Sequence, residues 1–319
     1  MKLQTEIPLK PEENQIDYSS KILLLGSCFS ENIGAKLDYY KFQNLQNPFG
    51  VIFNPVSIEN LIRRAIGGRL FTEESIFEHN GIWKCFEVHS ELSTLAKNQL
   101  LVNLNSALQN LRESLFSATH IIFTYGTSWV YRHLENDKIV ANCHKLPQHY
   151  FKKELLSIEE NSRSIQNIFN QISQVNPKAT VINTVSPVRH IKDGFAENSL
   201  SKAHLLSAIH KTIPQQSTVN QQRNYFPSFE MMMDELRDYR FYAEDMLHPN
   251  NTAIELIWQK FSGVWISSET RSLQKEIAII QKGLAHRPFN TKSDEHLQFC
   301  AKLQQKIALL QQRLPHLQF

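Results

Sequence analysis

Three short apolar runs constrain this chain more than any other feature. Residues 21–25 read KILLL and lead into Gly26-Ser27-Cys28. Residues 120–128 read HIIFTYGTS, and residues 179–187 read ATVINTVSP. Each run is too short for a buried helix, lacks the alternation of a half-exposed strand, and stops at Gly, Ser or Pro. Such runs are strands covered on both faces, as in parallel sheets. Helical spacing follows the first one at once, through Phe29, Ile33, Leu37 and Tyr40. Further helices are expected at 56–66, 92–116, 152–174 and 199–213, and from Ile254 through Trp265. Hairpins are expected at 79–88, around Asn80-Gly81, and at 129–147. Alternating strands and helices give an α/β fold with a mainly parallel sheet. The first 20 residues read as a surface lead-in.

The tail differs in kind. Leu273, Ile277, Ile280 and Leu284 recur at four- and three-residue spacing, and so do Cys300, Leu303, Ile307, Leu310 and Leu314 beyond Pro288. That pattern predicts a C-terminal helical hairpin with an apolar seam, which either folds back on the domain or joins subunits. The expected division is a domain over 1–268 and the hairpin extension over 269–319.

Reactive groups of such sheets gather beyond the carboxyl ends of the strands. Here those exits read Gly-Ser-Cys, Gly-Thr-Ser and Ser-Pro. Ser27 and Cys28 are adjacent candidate nucleophiles between a strand and a helix start, where backbone N–H groups favour an anion and would lower a thiol's pKa. Their ordinary roles would be a helix cap for Ser27 and a small buried hydrophobe for Cys28. Asp245-Met246-Leu247-His248-Pro249 supplies the base. Pro249 suits the first position of the next helix, so His248 stands just outside it. Asp245, three residues back, can reach Nδ1 and fix the tautomer; its ordinary role would be to cap the helix. Arg189, after the third strand, can bind a carboxylate, phosphate or sulfate group or stand as a solvated loop charge. His190 follows it. Cys143, His144 and His149 match no common zinc spacing, so no metal and no cofactor is expected.

The 319 residues are 41% apolar and 20% charged, with a net charge of +3. A packed core follows, and a nucleic-acid footprint does not. No apolar run reaches membrane-spanning length. Four scattered cysteines without a CxxC pair fit a cytoplasmic protein.

The motif GSCFS, with NPFGVIFNP (47–55), YGTSWVY (125–131), VANCHK (140–145), TVSPVRH (184–190) and Asp-x-x-His-Pro, resembles the GSCFA family over roughly residues 20–265. That family looks like a branch of the SGNH, or GDSL-type, hydrolases. The resemblance implies a three-layer α/β/α SGNH-hydrolase-like fold and ester hydrolysis or acyl transfer through an acyl-enzyme on a small-molecule or carbohydrate ester. An ungapped match places the SGNH serine on Cys28, while conventional chemistry favours Ser27. Asp245 and His248 carry over unchanged. The oxyanion glycine falls on Gly50. The asparagine of the Gly-x-Asn block falls on Ser128, and Asn54 is the candidate substitute. The alternative is a catalytically degenerate binding or scaffolding protein, with the C-terminal helices as a possible homo-oligomer contact.

Overall fold

The computed structural model describes residues 5–213, 223–315 and 317–319. In chain order the elements are β1 (Lys21–Gly26), α1 (Cys28–Tyr39), β2 (Gln43–Gln46), α2 (Pro55–Ile66), β3 (Phe77–His79), β4 (Ile82–Lys84) and α3 (Lys97–Ser117). They continue with β5 (His120–Tyr125), β6 (Trp129–His133), β7 (Lys138–Val140), β8 (Phe151–Leu155), α4 (Ile158–Val175), β9 (Thr180–Val185) and α5 (Phe195–Thr212). Then come β10 (Arg223–Tyr225), α6 (Ser228–Glu230), α7 (Asn251–Trp265), α8 (Arg271–Ala285) and α9 (Asp294–Arg313).

The three apolar runs are the three central strands of one parallel sheet, ordered β10-β9-β5-β1-β2. β5 and β9 are buried at every residue, which is why their sequences show no alternation. One face carries α2 to α5, packed through Leu61, Leu108, Phe169 and Leu205. The other carries α1 and α7, packed through Ile33, Leu37, Ile257 and Trp265. The fold is therefore a three-layer α/β/α arrangement around a parallel sheet. At Gly26 φ is +139°, and a Cβ would lie 2.1 Å from the Thr124 carbonyl oxygen, so the turn out of β1 requires glycine.

The edges of the sheet escaped sequence reading. β2 (QNLQ) and β10 (RNY) are partly exposed edge strands without an apolar run. The helix expected over 152–174 is divided: Phe151–Leu155 is a strand, antiparallel to β6. The helix begins only after the Ser157–Glu160 capping box. α3 starts at Lys97 rather than 92. The Asn80-Gly81 hairpin is present, both residues having positive φ. The lead-in is partly interior: Ile16 is fully buried, its N–H donates to Trp265 O at 2.6 Å, and its carbonyl accepts from Ser267 N at 2.9 Å.

Of the two expectations for the tail, folding back is seen. Ile277, Ile280, Leu303, Ile307 and Leu310 join the core of the α1 and α7 face. Gln281 Nε2 donates to Tyr39 O at 3.0 Å and ties α8 to the end of α1. Ile279 and Leu309 remain exposed. Among the described residues no helix is long and apolar enough to cross a membrane.

Candidate active site

The carboxyl edge of the sheet is built by short-range locks. Ser27 N donates to Thr124 O at 2.9 Å, and Ser30 Oγ donates to Thr124 Oγ1 at 2.9 Å, so the start of α1 is fastened to β5. Asn47 Oδ1 accepts from Gly26 N at 2.9 Å and closes the NPFG loop over the end of β1. The two candidate nucleophiles then part company. Ser27 is fully buried and caps α1, with Oγ accepting from Phe29 N at 3.4 Å. Cys28, the first helical residue, is partly exposed.

The helix start does not lower the Cys28 thiol as expected. Burial pushes it up and Glu31 adds to that, while Lys202 and the N–H groups of Cys28 and Phe29 oppose the shift. Desolvation outweighs the helix end here.

Asp245 and His248 meet as the spacing predicts. Asp245 Oδ2 lies 2.5 Å from His248 Nδ1, and Oδ1 accepts from Leu247 N at 2.9 Å and His248 N at 3.0 Å. Those two N–H groups and the ring hold the carboxyl well below its usual range, to about 2. Asp245 does not cap α7. That role belongs to Asn250, whose Oδ1 accepts from Ala253 N at 3.0 Å, and Pro249 lies outside the helix. The turn is tight: Ala243 N donates to His248 O at 2.8 Å, and Met246 takes φ +60°.

Arg189 holds this loop rather than standing free. Its N–H donates to Leu247 O at 3.2 Å and its Nη2 to Met246 O at 2.9 Å. Its guanidinium lies 4.1 Å from the Tyr242 ring centre. The exit of β9 is thereby stapled to the Asp-x-x-His turn.

The expected oxyanion donors are placed otherwise. Gly50 N donates to Asn47 O at 2.8 Å, inside its own turn. Ser128 is fully buried; its Oγ donates to Ser201 O at 3.0 Å and accepts from Asn161 Nδ2 at 3.2 Å. Its N–H donates to Ser201 Oγ at 2.7 Å. Both are corrections to the sequence reading, since neither N–H of Gly50 nor hydroxyl of Ser128 is left for a ligand. Asn54 does fold inward. The adjacent Phe53 carbonyl accepts from Gly126 N at 2.7 Å and Thr127 N at 3.2 Å. Asn54 Oδ1 caps α2 through Ser57 N at 2.8 Å, and among the described residues its Nδ2 has no partner.

Two groups were under-read in the sequence. His190, expected with Arg189 to face the pocket but given no role, has its N–H on Asn198 Oδ1 at 2.8 Å and its ring edge-on to Phe53 at 5.2 Å. Its Nε2 is buried without a partner, 3.3 Å from where a Gly126 Cβ would stand. Burial first, then the charges of Lys202 and His248, lower it to about 3, so the ring is neutral. Lys202, in the middle of α5, was missed entirely. It is 1% exposed and donates to Ser186 O at 2.7 Å. Burial lowers it to about 7, and Cys28 pulls the other way. A lysine interrupting the apolar positions of a helix is the only signal that sequence offered.

Cys143 and His144 belong to a turn. His144 is buried with Nε2 2.6 Å from Cys85 O, and burial lowers its ring to about 4. A cavity of about 530 Å³ lies off the strand ends, between α2 and the β6–β7 hairpin. It starts at Val56 and is lined by Arg63, Arg64, Arg69, Arg132 and Lys138.

Fold and site together define a three-layer α/β protein with thiol, imidazole and ammonium groups at the carboxyl edge of a parallel sheet. The chain belongs to the GSCFA family, whose sequence model matches residues 21–261. A second model, the GSCFA domain protein C-terminal domain, matches residues 277–319, so the tail too has a family counterpart. No curated protein matches the chain. Among solved structures, a carbohydrate esterase family 3 protein from Talaromyces cellulolyticus is similar at 11% identity, with 81% of this chain and 99% of that chain covered and a TM-score of 0.38. A mutant acetyl esterase crystallised with acetate ion is similar at 11% identity, with the same 81% and 99% coverage and a TM-score of 0.37.

Proposed function

We propose that this protein hydrolyses an acyl ester, or transfers its acyl group, through a thioester on Cys28, on a small-molecule or carbohydrate substrate in the cytoplasm. The observation that carries the reading is the Asp245–His248 couple, with Nδ1 held at 2.5 Å on a turn stapled to the strand exits. In this scheme His248 Nε2 takes the Cys28 proton as Sγ attacks the acyl carbonyl carbon. The carbonyl π pair moves to oxygen. When the tetrahedral intermediate collapses, His248 gives that proton to the leaving alkoxide. Water, or a second alcohol, releases the acyl group by the same steps in reverse. The ionised Asp245 fixes the imidazole tautomer and stabilises the imidazolium. Asn54 Nδ2 and the N–H of Cys28 donate to the oxyanion. The register favours Cys28 over Ser27, whose buried oxygen serves the helix cap. Four free thiols suit a reducing compartment.

The test is hydrolysis of aryl acetates and acetylated oligosaccharides, with iodoacetamide and fluorophosphonate labelling. Turnover lost in Cys28→Ala and kept in Ser27→Ala supports the scheme; the reverse pattern transfers the nucleophile to Ser27. A second reading, a binding or scaffolding protein that has lost turnover, draws on the committed Gly50 N–H and Ser128 hydroxyl. It predicts silence toward every ester and both labels.

A further inference from the structure

The cavity between α2 and the β6–β7 hairpin has no part in the chemistry above. Its volume, about 530 Å³, is within the range of small-molecule pockets. One wall is a face of α2: Val56, Asn60 and Arg63 stand four and three residues apart, so they project to the same side. The hairpin contributes Arg132 and Lys138, and the segment after α2 contributes Arg69 and Glu74. Phe86, Ile139 and Val140 join Val56 in an apolar lining.

Some of these charges are committed to the fold. Arg64 Nε and Nη2 grip both oxygens of Glu87, at 2.9 and 2.5 Å, and Nη1 donates to Arg69 O and Leu70 O, each at 3.2 Å. Arg132 donates to Glu154 Oε2 at 3.0 Å and to Asp137 O at 2.8 Å, with the Asp137 carboxylate 3.6 Å away. The other cations are not so held. Glu59 lies 3.8 Å from Arg63 Nη1, but its oxygens already accept from Ser164 Oγ at 2.8 Å and Asn167 Nδ2 at 3.1 Å. Arg69 and Lys138 are exposed, and among the described residues their side chains have neither a carboxylate nor a hydrogen-bond partner. Glu74 lines the cavity without a cation partner among the described residues. Three under-partnered cations thus stand with one unpaired acid. A space of this volume is roughly 10 Å across, about one Debye length at 0.1 M salt, so the cations repel one another until an anion enters.

We propose that this cavity binds the phosphoryl group of a small organic molecule. A tetrahedral dianion takes donors from several directions, which suits two guanidiniums and an ammonium carried on separate segments. A planar carboxylate is matched by a single guanidinium fork. The cavity is larger than one phosphate, and its apolar lining takes the body of the molecule. The site is independent of the acyl-transfer reading, and its test reads binding alone.

The experiment is titration calorimetry of the full chain with inorganic phosphate, glucose 6-phosphate and adenosine monophosphate. At least one organic phosphate is expected to bind more tightly than inorganic phosphate, and more weakly as salt is added. Arg69→Met and Lys138→Met are each expected to weaken that binding about tenfold, and together about a hundredfold. Both side chains are exposed, so the variants fold, as thermal unfolding confirms. Glu74→Gln removes the unpaired acid and is expected to tighten binding. Lys178→Met, an exposed charge before β9 at the other edge of the sheet, is expected to leave it unchanged. No saturable binding of any probe at millimolar concentration overturns the proposal, as does an unchanged Kd in the double variant. An equal loss in Lys178→Met reduces the effect to net charge and overturns the site. Unchanged or weaker binding in Glu74→Gln overturns the charge account. Inorganic phosphate binding as tightly as either organic phosphate overturns the role of the apolar lining.

Discussion

At the amino-terminal edge of the sheet, His120 is 1% exposed and both ring nitrogens are partnered, Nδ1 with Thr119 Oγ1 at 2.8 Å and Nε2 with Asn14 O at 3.0 Å. At the carboxyl edge, His190 has a buried Nε2 with no partner and Lys202 keeps two unaccepted N–H groups. These buried groups are therefore treated in opposite ways, although Trp265 Nε1, on the ring 6.5 Å from His120, is also buried without a partner. A buried polar group that only holds the fold is ordinarily satisfied, because an orphaned one costs about 1–3 kcal/mol. An edge that receives a reacting group keeps donors available, and tolerates that cost elsewhere in its packing.

The largest expected effect tests which group reacts at the open edge. Cys28→Ala removes ester turnover by about 10⁴-fold or more, measured with aryl acetates. Ser27→Ala keeps turnover within tenfold and lowers unfolding stability by ~1 kcal/mol, the loss of a cap. An inactive Ser27→Ala with an active Cys28→Ala would break the distinction between the buried and the partly exposed nucleophile. Next, His248→Ala lowers kcat by about 10³-fold and Asp245→Asn by about 10²-fold or more. Both side chains are exposed, so denaturant midpoints shift by no more than ~0.5 kcal/mol.

At the closed edge the expectation inverts. His120→Ala costs about 1–3 kcal/mol in urea unfolding, by leaving Asn14 O and Thr119 Oγ1 without their ring partner, and leaves ester kcat unchanged. A large kcat loss there would show that the two edges are coupled. The smallest effect is a slope. Lys202 is lowered to about 7 from 10.5 in the folded chain. Between those values the unfolded chain holds a proton that the folded chain has released, so stability rises with pH across that window. Lys202→Met removes this contribution and is neutral or stabilising near pH 7, as seen by thermal unfolding at stepped pH.

What could be read in advance divides along the same line. The three central strands were legible because burial on both faces leaves an uninterrupted apolar run. The edge strands QNLQ and RNY and the strand FKKEL were not, since pairing to one neighbour on a partly exposed surface demands no apolar pattern. The Asp245–His248 couple was legible because it is local: three residues and one turn bring carboxylate to imidazole. Gly50 and Ser128 were misread because a hydrogen-bonding group's partner is chosen by whichever atom packs nearest. Asn47 and Ser201 are not marked as those partners in the sequence.

The sequence by itself determined the parallel α/β architecture, the turn that exposes Cys28, the His248 couple and the amphipathic helices of the tail. All of these follow from periodicity, glycine geometry or contacts within a few residues. Only the tertiary structure decided that the tail folds onto α1 and α7, that desolvation outweighs the helix start at Cys28, and that Lys202 lies buried at the strand ends. Those outcomes depend on burial and on charges brought together from distant segments, and the free energy of a charge is set by its surroundings in space rather than by its neighbours in the chain.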